Sequence, residues 1–474
     1  MKLDRWPLVA VVAGLLLAGA LVDRTGSGPR PPARPAEHAS AMPTAAPGGA
    51  LSSTLYCAGA TATAAGSSTG AVVIANTRDQ EARGSVTVIT TTAPPRSVPL
   101  VVGPSSVAEV SLGSLAPGAA AAAVVDLQSG QAAAELSVSG AQGDGDVTPC
   151  ASSGSARWYF ADASTARDAS LSLSLFNPFP EDAIADLSFS TDEGRATPAD
   201  LQGLVIPAGS LVVKEVGEHV RRRESIATMV TARTGRLVAA QSLGRTVTGR
   251  SGTSVTLGAP SLSPLWYFPD GLATTGVVER YSLFNPASRE AEVALEVNLD
   301  EGVAEPFEIT VPAGDRVTVT FNDEARVPKG VGHSTTVRSI NGVPVLATRT
   351  VEAALPSRSG RADTLGARRA AKRWLFAAGG TSATLDEAIV VQNVGTQPAT
   401  VSLTGLGGGQ AVPLAPFQGV TIEPGRRQLF RVGDALRRTP MGIVVSATSE
   451  VVAERALYTT GRPGLSAVVG IPLE

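Results

Sequence analysis

Cysteine and histidine are scarce: the 474 residues hold only Cys57, Cys150, His38, His219 and His333. That is too few for a closed zinc shell of Cys and His ligands at usable spacing. Triad-type catalysis needs a positioned imidazole. His38 lies in a Pro/Ala-rich stretch, and His219 (GEHVRRR) and His333 (VGHSTTV) read as surface or loop residues. No G-x-S-x-G, Cys-His nucleophile or metal-spaced cluster occurs in the sequence. GLGGGQ at 405–410 lacks the following helix that a phosphate site requires. Asp192 and Glu193 sit in a turn-like DEG and do not recur, which argues against a glycosidase pair. The expectation is a protein that is not an enzyme and carries no metal and no cofactor.

Charge is also scarce. Charged residues make up 17% of the chain and the net charge is −3, so no field recruits nucleic acid. Aromatics are 4%, leaving an apolar mass of mostly Ala, Val and Leu. Long apolar runs are missing except for residues 6–22, WPLVAVVAGLLLAGALV, which follow Lys2 and Arg5. At 1.5 Å per residue that run spans roughly 26 Å, near the lower limit for a membrane helix. Basic residues ahead of it favour an inside N-terminus and an exported remainder. Residues 1–23 are therefore expected to be a signal anchor in the cell membrane, single-pass, with the C-terminal bulk outside. The alternative is a signal peptide cut after Ala18-Gly19-Ala20, giving a secreted protein. Residues 24–54, rich in Pro, Ala, Ser and Gly, read as a disordered spacer.

What the sequence does contain is a ruler. RWYFADAS, LWYFPDGL and RWLFAAGG set Trp158, Trp266 and Trp374 at a 108-residue interval. An Asn follows each at the same offset: Asn177, Asn285 and Asn393. IPAG, VPAG and IEPG turns come next, and Arg-x-Gly-x5-Gly closes each unit from Arg250, Arg358 and Arg462. A divergent first copy has Tyr56 in the Trp role, IANT at Asn76 and VVGPSS around Gly103. This is domain duplication rather than a small-unit solenoid.

Within a unit, stretches such as LSLSLFNP, AIADLSFS and TSVTLGAP alternate apolar and polar residues over four to eight positions, with Gly/Pro/Asn turns between. Such spacing predicts about seven short strands per unit, with a helical turn at EHVRRR and DALRR. In WYF, Trp158 and Phe160 fall on one strand face and Tyr159 on the other. The fold expected is all-β, four tandem Ig-like β-sandwiches at residues 55–152, 153–260, 261–367 and 368–474. Cys57 and Cys150 bracket the first unit, and a disulfide between them suits an exported protein.

These landmarks resemble an uncharacterised bacterial family of secreted or membrane-anchored domains, whose repeats open with WYFAEG-like text and pass QNPG-like and VPA-like turns. Its repeats end in VAERAMY-like strands. The matching text here is WYFADA from Trp158, WYFPDG from Trp266, VVQNVG from Val390 and VVAERALY from Val451. The likeness is clear over 155–474 and weak over 55–150, where the Trp and the ERA-type strand are missing. It implies an envelope-exposed module without known catalysis.

Two basic clusters are candidate contacts for an anionic ligand: Arg221, Arg222 and Arg223, which match Arg437 and Arg438 by position. A third, Arg368, Arg369, Lys372 and Arg373, fills the junction of the last two units. Gln241, Arg349 and Arg455 in the late strand and the closing Arg250, Arg358 and Arg462 recur between units, which reads as a fold requirement, with a shared ligand contact as the alternative. The functional expectation is a membrane-tethered scaffold or adaptor for a protein partner in the cell envelope. The alternative is a module binding wall glycan or another anionic polymer.

Overall fold

Alternating sequence becomes alternating burial. In the strand Ala183–Thr191, Ala183, Ala185, Leu187 and Phe189 are buried while Ile184, Asp186 and Ser188 are half-buried. The computed structural model describes residues 43–473, apart from 63–67, 141–143, 247–250, 303 and 357. The apolar run 6–22, His38 and most of the spacer thus lie outside the described residues, as does Arg250. Among the described residues no helix is long and apolar enough to cross a membrane.

The described residues are all-β, with several antiparallel sheets. In the third segment one sheet runs Leu265–Phe268, His333–Ser339, Ala291–Leu299, Phe307–Val311. The other runs Asp315–Thr320, Val277–Asn285, Leu346–Leu355, Arg358–Leu365. Trp266 and Phe268 of the first sheet share one core with Leu283 and Leu346 of the second. The second segment repeats this order. Arg157–Phe160, Ile226–Thr234 and Ala183–Thr191 form one sheet; Ser210–Glu215, Ala169–Asn177, Val238–Arg245 and Gly252–Leu257 form the other. In the first segment the two sheets are joined where Ala62 pairs with Thr69. In the fourth, the 18-residue strand Gly442–Thr459 runs through both. Helical turns form at Val216–His219 and Val432–Asp434, with a counterpart at Leu112–Leu115; they end at the start of the expected EHVRRR and DALRR stretches, and the arginines themselves lie past them.

The sequence landmarks each have a physical task. The buried indole Nε1 of Trp158, Trp266 and Trp374 donates to the carbonyls of Leu237, Val345 and Val451, each at 2.9 Å. Asn285 is fully buried and clamps two turns. Its Nδ2 donates to the carbonyls of Arg289 (2.7 Å) and Val311 (3.1 Å), and its Oδ1 accepts from the Ala287 N–H (3.0 Å). Asn76, Asn177 and Asn393 make the same set of bonds. Only an amide of this length offers two donors and an acceptor in one plane. The last glycine of each closing motif lies beneath the Phe of the opening strand. A Cβ on Gly258, Gly366 or Gly470 would come within 2.7, 2.7 or 2.8 Å of Phe160, Phe268 or Phe376.

The first segment corrects two expectations. Bridges Tyr56–Ala151, Tyr159–Ala259 and Tyr267–Ala367 put Tyr56 in register with the outward-facing tyrosines. Leu55, buried in the first core, holds the Trp place. Cys57 then stands where the Phe does and Cys150 where the Gly does, and the two are bonded. The disulfide replaces the ring-on-glycine contact of the other segments. The second correction concerns Gly103. The left-handed turn position, occupied by Gly209, Gly314 and Gly425 elsewhere, is Ser105 here, with φ of 42°.

Asn285→Ala should destabilise the protein by about 2–4 kcal/mol, read by urea unfolding, because several buried backbone groups lose their partner at once. Gln at the same position, one methylene longer, should recover little of that loss.

Candidate functional site

The outward face of each opening strand packs on a neighbouring segment. Tyr56 packs on the second segment's core, Tyr159 belongs to the third's and Tyr267 packs on the fourth's. Leu375 completes the series by packing with Ala75 and Ala133 of the first segment. The closing strands Gly145–Pro149, Gly252–Leu257, Arg358–Leu365 and Leu465–Val469 touch in the same cyclic order, the fourth returning to the first. Four joints result.

Buried hydrogen bonds stitch the closing strands together. The Val255 N–H donates to Asp146 (2.8 Å) and the Leu257 N–H to Thr148 Oγ1 (3.0 Å). Ser254 Oγ donates to Asp363 (2.6 Å), Thr364 Oγ1 to the Ala467 carbonyl (3.1 Å), and the Val147 N–H to Ser466 Oγ (3.0 Å). At the fourth–first joint Ala45 is buried beside Leu473, and its N–H donates to the Pro472 carbonyl at 3.1 Å.

The recurring late-strand polar residues sit at these joints. Strand register makes Gln241, Arg349 and Arg455 equivalent, opposite Leu173, Tyr281 and Ile389. Arg349 of the third segment is bonded to Glu454 of the fourth at 2.6 Å, both fully buried. Arg455 of the fourth is bonded to Glu135 of the first at 2.9 Å, again fully buried. Each glutamate also accepts backbone N–H groups of the opening loop: Asp270 for Glu454, Ala377 and Ala378 for Glu135. Gln241, with no such acid opposite, donates instead to the Asp162 carbonyl at 2.6 Å. At the second–third joint Arg361 bridges Asp162, Asp363 and Glu352.

The acids are the part that sequence reading missed. Their signal is an acidic residue inside an apolar run, in AAAELSV and VVAERALY, which has to find a partner once buried. His333 also departs from expectation. It is fully buried with its Nε2 3.1 Å from Glu279, because its strand starts in the core rather than in a loop. His219 is half-buried and paired with Asp200.

The arginine clusters are not brought together. Arg221, Arg222 and Arg223 belong to the second segment, Arg437 and Arg438 to the fourth, and those segments are not neighbours in the cycle. Arg223 pairs with Glu193, and Arg438 donates to the Gly407 carbonyl at 2.9 Å. Arg368 donates to Ser261 across the third segment. Among the described residues no group of three or more His, Cys, Asp and Glu could hold a metal ion.

Electrostatics divides the buried acids. Burial pushes the carboxyls of Asp146, Glu387 and Glu454 up to about 7, for Glu454 in spite of the Arg349 guanidinium beside it. For Asp162 and Glu279 burial is outweighed by facing cations, Arg361 first for Asp162 and His333 first for Glu279, so both lie below the ordinary range.

No family model matches the chain, and no curated protein matches it. Among solved structures, Thermotoga maritima 1070 is covered over 94% of its length by 22% of this chain, at 17% identity and a TM-score of 0.21. The Anabaena sensory rhodopsin transducer is covered over 94% of its length by 18% of this chain, at 22% identity and a TM-score of 0.16. A tetra-tandem repeat from the extending region of a large adhesion protein is covered over 99% by 89% of this chain, at 10% identity and a TM-score of 0.10. These scores are too low to assign fold or function.

Arg455→Met should cost about 3–5 kcal/mol in urea unfolding, since it leaves the Glu135 charge buried without its partner. Adding Glu135→Gln should return part of that loss, because the amide oxygen still accepts from the Ala377 and Ala378 N–H groups.

A pH dependence follows from Asp146, Glu387 and Glu454. Between about 4, their ordinary value, and about 7, the folded chain keeps protons that the unfolded chain releases, so stability falls as pH rises through this window. The lowered carboxyls act below that window, with the opposite slope. The urea midpoint should therefore decline from about pH 5 to about pH 8, and Asp146→Asn should flatten the decline.

Proposed function

We propose that this chain is a non-catalytic, membrane-tethered extracytoplasmic scaffold that binds a protein partner in the cell envelope. Its body is four tandem Ig-like β-sandwich repeats on a 108-residue ruler, carried on the N-terminal apolar segment and the Pro/Ala-rich spacer. The observation that carries the reading is where apolar side chains remain exposed. Val101 and Val205 are 53% and 54% exposed, at matching positions of the edge strands Arg96–Val102 and Leu204–Ile206. An edge strand with unpaired backbone groups and an apolar side chain suits strand addition by a polypeptide. The other large exposed apolar residues among those described are Leu51 and Ile340, none of them aromatic, which suits a protein partner better than a stacked sugar. The Cys57–Cys150 bond supports an oxidising compartment.

Crosslinking on intact cells with a membrane-impermeant reagent should give a discrete protein adduct, reduced severalfold by Val101→Glu with Val205→Glu. Absence of any adduct, together with saturable wall-polysaccharide binding lost on replacing Arg221–Arg223 by Ser, would overturn this reading in favour of a polymer-binding module.

A further inference from the structure

The four joints are built on one plan but are not equally filled. At the third–fourth joint the last hairpin of the fourth segment pairs Tyr458 with Leu465, and both side chains are buried there. The Tyr458 ring lies 4.0 Å beneath the guanidinium of Arg358, the first residue of the third segment's closing motif. At the second–third joint the pair in the same register is Glu352 and Arg361, and Arg361 fills the space by reaching Asp162. At the first–second joint the pair is small, Gly244 and Thr253. There the bulged opening strand fills in, with Gly59 so close that a Cβ on it would meet Val255 at 2.8 Å and Ala240 at 3.2 Å.

At the fourth–first joint the pair is Ser139 and Gly145, and among the described residues no larger side chain takes that place. A cleft of about 240 Å³ opens there. Its walls are the counterparts of those around Tyr458. Leu457 and Ser466 stand where Val351 and Ala362 do, and Ser137 and Val147 where Ala456 and Ala467 do. Arg462, which opens the fourth segment's closing motif as Arg358 opens the third's, lines this cleft. No ring lies beneath it among the described residues. Val73, Val147, Ala378 and Leu457 give the cleft an apolar floor, while Glu109 (in the place of Leu429), Asp146 and several Ser and Thr hydroxyls make the rest of its lining polar. A cavity of about 150 Å³ already accommodates benzene, so this one has room for a larger aromatic group.

We propose that the cleft between the fourth and first segments is an aromatic slot, which takes a phenol-type ring in the position that Tyr458 fills one joint earlier, stacked against Arg462. The ring is either a tyrosine-like side chain of a partner polypeptide or a free aromatic small molecule. In the first case the inference rests on the partner-binding reading; the slot itself does not.

The test uses p-cresol, the tyrosine side chain without its backbone, titrated into the full-length protein and followed by ligand-observed NMR. Saturable binding is expected, weakened roughly threefold or more by Arg462→Ala and unchanged by Arg358→Ala. Ser139→Tyr with Gly145→Leu, which rebuilds the plug of the neighbouring joint, should abolish it. Ser139→Leu alone serves as a milder plug if the double variant does not fold, as judged by circular dichroism. No saturable binding, or binding unchanged by Arg462→Ala and by a folded plug variant, would overturn the slot. Crosslinking on intact cells with the plugged protein separates the two sources. Loss of the adduct assigns the ring to the partner, whereas an unchanged adduct with p-cresol binding lost assigns it to a small molecule. Absence of any adduct from the unplugged protein bears on the partner reading alone and leaves the p-cresol result standing.

Discussion

Everything in this protein depends on burying both faces of the short opening strands. A strand presents alternate residues to opposite sides, and here one side packs in the segment's own core and the other against a neighbouring segment. Trp266 and Phe268 fill the segment's own core while Tyr267, between them, packs on the next segment. A segment alone would expose that second face, so each is completed by its successor, and the fourth by the first. The result is closure without a free apolar end, an outcome that an open row of the same segments would not reach.

Closure places charges where water cannot reach them. A buried Arg–Glu pair contributes little net stability compared with an apolar pair of similar volume, but either partner alone is strongly unfavourable. Arg349 needs Glu454 and Arg455 needs Glu135, so a wrong neighbour would strand a charge. The pairs therefore favour one order of segments over another. The second–third joint solves the same problem differently, with Arg361 among three carboxylates. Once like packs on like at every joint, a difference between joints becomes informative, and Ser139 with Gly145 is such a difference.

Much of the interior was legible in the sequence because its causes are local. Strand alternation told Trp158 and Phe160 from Tyr159, and recurrence marked Asn177, Asn285 and Asn393 as landmarks, though the turns they clamp became visible only in the structure. The Cys57–Cys150 pairing was legible from placement, yet its meaning was not, since only register shows that it replaces a phenylalanine on a glycine. Tyr56 was misassigned for the same reason: aromatic character suggested the Trp role, while the Tyr56–Ala151 bridge gives that place to Leu55. His333 resembled a loop residue and is a core residue, because loop-like text says nothing about what packs over it.

By itself the sequence determined the all-β character, the 108-residue ruler and the residues that close each core, since these follow from periodicity and turn chemistry within a short stretch of chain. Only the tertiary structure decided that the segments close on themselves, that Glu135 and Glu454 serve arginines of the neighbouring segment, and that one joint is left open beside Arg462. Those facts join residues up to 320 positions apart. Pairing across such a distance is set by which faces meet, and no local pattern encodes it.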